Sequence, residues 1–305
     1  MEGQKSIGRI STLQGLTVNL HITRHCNFHC GYCFAVYREI KDLPITAWKL
    51  IIQKLTVAGV GKINFAGGEP LLFQGLGSLI EATSEAGLIT SLVTNGKLIT
   101  REWCAQYLRW LNIIAISLDS FDRKVQHDLG RDNDPDVPQM VVDRIAMIRE
   151  IAKSFGHKIY VKLNMVVTSQ NAHEDPTPGL LLIHPNRVKI FQVTRVEGEN
   201  EGTYDGLAIS RQQFDAYVDR VRQGLSGCKE TVLAPETEED LHESYLVIGP
   251  DGSFRDKRAG QNLVGSSLIE ASVEDALSSL FSEDDLVRIG LGMAKRGGIY
   301  SVTGA

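Results

Sequence analysis

The segment Val18–Phe34, VNLHITRHCNFHCGYCF, decides how this chain is read. Its first half alternates apolar Val18, Leu20 and Ile22 with polar Asn19 and His21, the two-residue period of a half-buried strand over Leu16–Thr23. Its second half sets Cys26, Cys30 and Cys33 in a C-x3-C-x2-C arrangement directly after that strand. Three thiolates so spaced can hold three corners of an iron–sulfur cubane and leave the fourth iron open to a small chelating ligand. A tetrahedral zinc site would need a fourth protein ligand, which His21, His25 or His29 could supply. Buried thiols without a metal are the remaining reading. Tyr32, just before the last cysteine, and the position at a strand end favour the iron–sulfur cluster.

Outward from this segment, the composition narrows the field. The chain has 305 residues and five cysteines, with Cys104 and Cys228 standing alone. An odd number, clustered in a long chain, is a poor disulfide framework and fits a reducing, cytoplasmic setting. The net charge of −5 argues against a protein that coats nucleic acid by charge alone. No apolar run reaches the roughly 18 residues of a membrane span, and the start, MEGQKSIGRI, lacks the apolar stretch of a secretory signal. No membrane partner is expected. A hydrophobic content of 43% allows a large core.

Short β-branched runs alternate with helical patterns. Strands are expected near Leu16–Thr23, Lys62–Phe65, Leu88–Val93, Ile113–Ser117, Lys158–Val167 and Val188–Arg195. Helices are expected near Ala47–Ala58, Leu76–Ala86, Arg101–Leu108, Gln139–Ser154 and Glu174–Leu182. About six βα units predict an α/β fold, a partial (βα)6 TIM-like barrel with its ligand at the C-terminal strand ends. After Arg195 the rhythm changes to a helix near Arg211–Leu225 and a hairpin around Pro250-Asp251-Gly252. The expected division is an N-terminal segment over 1–15, a barrel over 16–200 and a C-terminal extension over 201–305 that covers the site. Residues 196–243 are strongly acidic, with twelve Asp and Glu against four Lys and Arg, whereas 158–195 is net basic.

Alternation along the strands places Lys62 with Asn64, Lys162 with Asn164, Arg187 with Lys189, and Asn19 with His21 on polar faces. If the apolar faces meet helices, these polar faces line the barrel. Four cations there suit a polyphosphate better than a single carboxylate. The competing readings are internal carboxylate partners such as Glu69, Asp119 or Glu197, or a register that turns the cations to water. The strand KINFA runs into Gly67-Gly68-Glu69-Pro70, where two glycines let backbone approach a ligand closely.

The cysteine motif followed by GGEP resembles the radical S-adenosylmethionine (SAM) superfamily. The further runs VTNGKLI, IIAISLDSFD with GRD, VKLN, VKIFQV with VEGEN, SYL and KRGGIY are similar, in order, to the viperin family and its prokaryotic members. The resemblance implies a [4Fe-4S] cluster on Cys26, Cys30 and Cys33, and SAM as cofactor. It implies SAM contacts from Gly67, Gly68, Glu69, Asn95, Ser117 and Arg131. Nucleotide contacts would come from Asn19, Lys62, Lys162, Asn164, Arg187 and Lys189. Tyr245, which is otherwise a core aromatic of the hairpin, would help deliver a proton. The implied reaction turns a nucleoside triphosphate (CTP, UTP or GTP) into its 3′-deoxy-3′,4′-didehydro form, an RNA chain terminator. Flavodoxin or ferredoxin would supply electrons, and a monomer without a membrane anchor is expected.

Two other readings stay open at this stage. Other radical SAM enzymes, such as glycyl-radical activators or peptide modifiers, share the cluster, although many of the latter need more cysteines than Cys104 and Cys228 provide. A zinc-stabilised binding module without catalysis is the second.

Overall fold

The computed structural model describes residues 13–131, 136–243 and 245–295. The first twelve residues, Asp132 of GRD, Ser244 of SYL and the chain from position 296 onward lie outside them. Six parallel strands run in sequence order: β1 (Thr17–His21), β2 (Lys62–Ala66), β3 (Ile89–Thr94), β4 (Ile113–Ser117), β5 (Tyr160–Val167) and β6 (Arg187–Gln192). Helices α1 (Ile45–Val57), α2 (Leu76–Glu85), α3 (Arg101–Tyr107), α4 (Arg123–Asp128), α5 (Val137–Ser154) and α6 (Thr177–Ile183) connect them. This is the expected partial barrel.

The alternation explains the layering. Val18, Leu20, Ile63, Phe65, Leu92, Ile114, Val161, Leu163, Val188 and Ile190 are wholly buried in the core, which also takes Trp48, Ile51 and Leu55 of α1. Burying one such side chain contributes about 1.5–3 kcal/mol, so a one-residue register slip would be prohibitive. The polar faces are left to the interior. The helix expected from Glu174 starts only at Thr177, because Asp175 accepts from the Thr177 amide and Pro176 precedes the first turn.

Beyond β6, the chain builds more sheet than expected. After α7 (Glu201–Leu207) and α8 (Arg211–Gly224), β7 (Val232–Glu236) adds a seventh parallel strand beside β6. Then α9 (Glu238–Glu243) carries the chain to β8 (Leu246–Ile248), which pairs parallel with β1 at the other side. β9 (Ser253–Asp256) and β10 (Leu263–Ser267) continue antiparallel, completing a ten-stranded sheet, and α10 (Val273–Ser278) and α11 (Glu283–Lys295) follow. No helix among the described residues is long and apolar enough to cross a membrane.

Candidate active site

The cysteine loop leaves β1 at the C-terminal mouth and is held by backbone. Gly68 N–H donates to Thr23 O and Glu69 N–H to His25 O, both at 2.7 Å. On the far side, His29 N–H donates to Gly130 O at 3.0 Å. A Cβ on Gly68 would lie 2.2 Å from His25 O, and one on Gly130 would lie 2.2 Å from His29 O at a φ of +77°. Both positions require glycine for the loop to close. Asn95 donates through Nδ2 to Asn27 Oδ1 at 2.7 Å, tying the β3 end to the same loop.

The donor set fits a cubane. Cys26 is exposed, while Cys30 and Cys33 are half-buried. Desolvation pushes the thiol of Cys26 up to about 11 and that of Cys33 up to about 12, and raises Cys30. Such thiols become ligands by losing a proton to iron. Among the described residues, no group of three His, Cys, Asp or Glu side chains is placed to hold one metal ion. A cubane takes each of three thiolates on a different iron, whereas zinc takes four ligands on one ion. Phe28 N–H approaches Cys26 Sγ at 3.4 Å and Arg131 Nη1 approaches Cys30 Sγ at 4.0 Å, so the sulfurs face donors.

Glu69 is buried under the loop. It accepts from Leu71 N–H at 3.1 Å, Thr94 Oγ1–H at 2.8 Å and Asn95 N–H at 2.8 Å. Burial raises its pKa, and these donors counter the rise. Its carboxyl therefore braces the GGEP turn against β3. Arg131 donates to Ser117 O at 2.7 Å and Tyr32 OH at 2.8 Å, and pairs with Asp119 at 3.3 Å. Burial works against its charge, but Asp119, Tyr32 and Cys30 hold it firmly protonated. Tyr32 in turn donates to Asp119.

A cavity of about 300 Å³ fills the barrel mouth. Asn19, Asn64, Lys62, Lys162, Asn164 and Lys189 line it, joined by Ser117 and Arg131 on the side nearer the cysteines. Asn64 donates to Asn19 Oδ1 at 2.8 Å, and Asn19 donates to Leu246 O at 3.2 Å. Lys62, Lys162 and Lys189 are each at least nine-tenths buried. Burial, then Lys189 and Lys62, drive the Lys162 pKa well below its ordinary value, with Glu236 pulling the other way and Arg187 adding to the depression. Arg187 sits directly across from Lys162 in the β5–β6 register but does not line the cavity, so its charge reaches the space through Lys162. Gly67, Gly68, Glu69 and Asn95 likewise stand in the loop's support rather than on the cavity wall.

Internal carboxylates account for part of the polar interior, though not as expected. Asp119 pairs with Arg131, Glu69 braces the turn, and Glu197 is exposed. The acid that meets a cation of the cluster is Glu236 of β7, paired with Lys189 and accepting from Tyr245 OH. β7 contains Pro235, which a sheet edge tolerates, and that is where β7 lies.

Two more lining residues, Arg255 and Lys257, escaped the sequence reading as contacts, whereas His21 lines the cavity as alternation along β1 places it. Its Nδ1 is 2.6 Å from Tyr37 OH, and burial, then Lys257 and Arg255, lower its pKa to about 3, keeping it neutral. Arg255 of β9 and Lys257 just beyond it add two cations from the hairpin side. Alternation in SFRDK was readable, but its pairing beside β1 was not.

The parallel barrel and the cysteine loop at its mouth define a radical SAM enzyme. Residues 20–175 match the Radical SAM superfamily model. The fold is similar to Streptococcus suis SuiB bound to S-adenosylmethionine, with a TM-score of 0.70 at 17% identity over 91% of this chain and 68% of that one. It also resembles anSMEcpe with bound AdoMet, at a TM-score of 0.65 and 15% identity over 87% and 81%. The S-adenosylmethionine-dependent nucleotide dehydratase RSAD2 of Siniperca chuatsi is 34% identical over 93% of this chain and 78% of its own length. The nucleotide dehydratase of Flammeovirga pacifica is 30% identical over 87% and 90%. This chain belongs to the S-adenosylmethionine-dependent nucleotide dehydratases, the viperin family of the radical SAM superfamily.

Proposed function

We propose that the enzyme takes a hydrogen atom from ribose C4′ of a nucleoside triphosphate and expels the 3′-hydroxyl as water. The product is the 3′-deoxy-3′,4′-didehydro nucleotide, a chain terminator suited to antiviral defence. One observation carries the reading: Lys62, Lys162 and Lys189, buried and mutually repelling, line the same cavity that reaches Arg131 beside the cysteine loop. Buried cations in such density call for a polyanion.

The bound cluster and SAM supply a 5′-deoxyadenosyl radical that abstracts hydrogen. Cys26, Cys30 and Cys33 would hold the cluster, the Gly67-Gly68 backbone the SAM amino group, and Asn95, Ser117 and Arg131 its other polar groups. The lysines grip and orient the triphosphate, while Asn19 and Asn164 of the same cavity wall serve the nucleoside. Tyr245, Leu241 and His242 with Met293 of α11 wall the cavity from the C-terminal side, which supports their role in excluding water. Tyr245 is the proton donor in this reading. CTP, UTP or GTP is the substrate, flavodoxin or ferredoxin the reductant, and the working unit a cytoplasmic monomer.

Anaerobic protein with SAM, reductant and each of CTP, UTP and GTP tests the proposal. A nucleotide should stimulate formation of 5′-deoxyadenosine together with a dehydrated nucleotide. If none of the three does, the substrate assignment is wrong while the superfamily stands.

A further inference from the structure

The cavity carries an anion where a polyphosphate would least tolerate one. Glu236 ends β7, is wholly buried, and stands behind Lys189 and Tyr245, both of which line the cavity. One carboxylate oxygen pairs with the Lys189 ammonium and the other accepts from Tyr245 OH, while Lys189 Nζ donates to the same hydroxyl at 2.6 Å. Side chains from β6, β7 and the residue before β8 thus close a ring of two hydrogen bonds and an ion pair. A pocket shaped only to bind triphosphate gains nothing from a carboxylate that cancels the charge of one of its lysines. The carboxylate serves something other than binding.

We propose that Glu236 is a positioning residue for proton delivery, fixing Tyr245 and Lys189 against each other beside the departing hydroxyl. The assignment rests on the dehydratase reading above. In the step it serves, the C3′–O bond of the C4′ radical breaks as the Tyr245 hydroxyl turns its proton from Glu236 to the leaving oxygen, forming water. One Lys189 N–H proton replaces it on the tyrosine oxygen. One electron from the low-potential reductant completes the C3′–C4′ double bond, and Lys189 regains its proton from solvent. A phenol with its ordinary pKa near 10 is a weak acid, and an ammonium held on its oxygen removes the cost of a free phenolate. Lys162, in the same cluster, is driven towards neutrality. The ion pair with Glu236 holds its neighbour Lys189 aimed at the hydroxyl.

The test compares wild type with Glu236→Gln, Glu236→Asp, Tyr245→Phe and the Gln/Phe double variant, each checked for its thermal midpoint. Triphosphate binding is measured by calorimetry, and dehydrated nucleotide is counted per 5′-deoxyadenosine formed. Glu236→Gln should bind nucleotide as tightly as wild type or tighter, yet lose about tenfold or more of its product per 5′-deoxyadenosine. Glu236→Asp should recover part of that coupling. The double variant should be no worse than Tyr245→Phe alone, since the two act as one unit. Intact coupling in Glu236→Gln overturns the assignment, as does a parallel fall of affinity and turnover with coupling preserved. Should Glu236→Gln not fold, unchanged coupling in Glu236→Asp, with the shorter carboxylate, overturns it equally. If wild type itself converts no triphosphate, the dehydratase reading fails first, and that outcome is seen before any variant is compared.

Discussion

Replacing Lys162 by Met should make the ligand-free protein more stable and its nucleotide binding much weaker. Lys162 is 7% exposed and lies across from Arg187 in the β5–β6 register. Two unit charges about 5 Å apart at an effective dielectric near 20 repel by roughly 3 kcal/mol. Lys189 is paired with Glu236, so relief comes mainly from Lys62, with a smaller part from Arg187. Methionine fills nearly the same volume, and the melting midpoint of the free protein should rise by roughly 2–5 °C. Bound triphosphate reverses the balance, because a buried charge that meets a phosphate is worth about 2–4 kcal/mol, or roughly 30- to 1000-fold in Kd. Titration calorimetry with the triphosphate and, separately, with SAM measures both. SAM affinity should move by less than about threefold. Because the folded pKa of Lys162 is depressed, the unfolded state binds more protons between that value and 10.5, so stability rises with pH through this window. For the same reason nucleotide binding should take up a proton, seen as a buffer-dependent enthalpy. An unchanged nucleotide Kd, or equal losses for both ligands, would refute the division of the cavity.

Arg187→Ala should weaken nucleotide binding less than Lys162→Met, since Arg187 does not reach the cavity and acts through Lys162; calorimetry on both variants compares them. Gly130→Ala places a Cβ 2.2 Å from His29 O at a left-handed φ, costing about 1–3 kcal/mol, and should lower both the midpoint and the iron content. Anaerobically purified protein should contain iron and acid-labile sulfide, with Cys26→Ser, Cys30→Ser or Cys33→Ser losing them; zinc in their place would support the binding-module reading instead. His21 is neutral in the fold but charges on unfolding between about pH 3 and 6.5. Stability should therefore fall as pH drops through that range, and His21→Gln should flatten the slope in an acid-denaturation series.

Tertiary pairing also explains why one tyrosine reading improved and another site residue moved. SYL by itself leaves Tyr245 as a hairpin aromatic, because nothing local says where its hydroxyl goes. The chain from β7 through α9 brings that hydroxyl back onto Lys189 and Glu236, which lie 56 and nine residues away along the chain. Arg187 shows the opposite: alternation puts it on the same face as Lys189, but its position at the start of β6 sets it deeper than the cavity.

By itself, the sequence determined the parallel βα order, the cysteine loop after β1, the glycine turn after β2 and the polar interior faces of β1, β2, β5 and β6. Each is a matter of spacing within a dozen residues, governed by side-chain alternation and by where a Cβ can fit. The tertiary structure alone decided that VLAPE joins β6 as a seventh strand, that the hairpin closes beside β1, that Glu236 meets Lys189, and that Arg255 and Lys257 join the cavity wall. Those contacts join residues as much as 227 positions apart, as Asn19 and Leu246 are. Charge in a cavity depends on every wall at once, and no local pattern encodes which distant strand supplies the opposite wall.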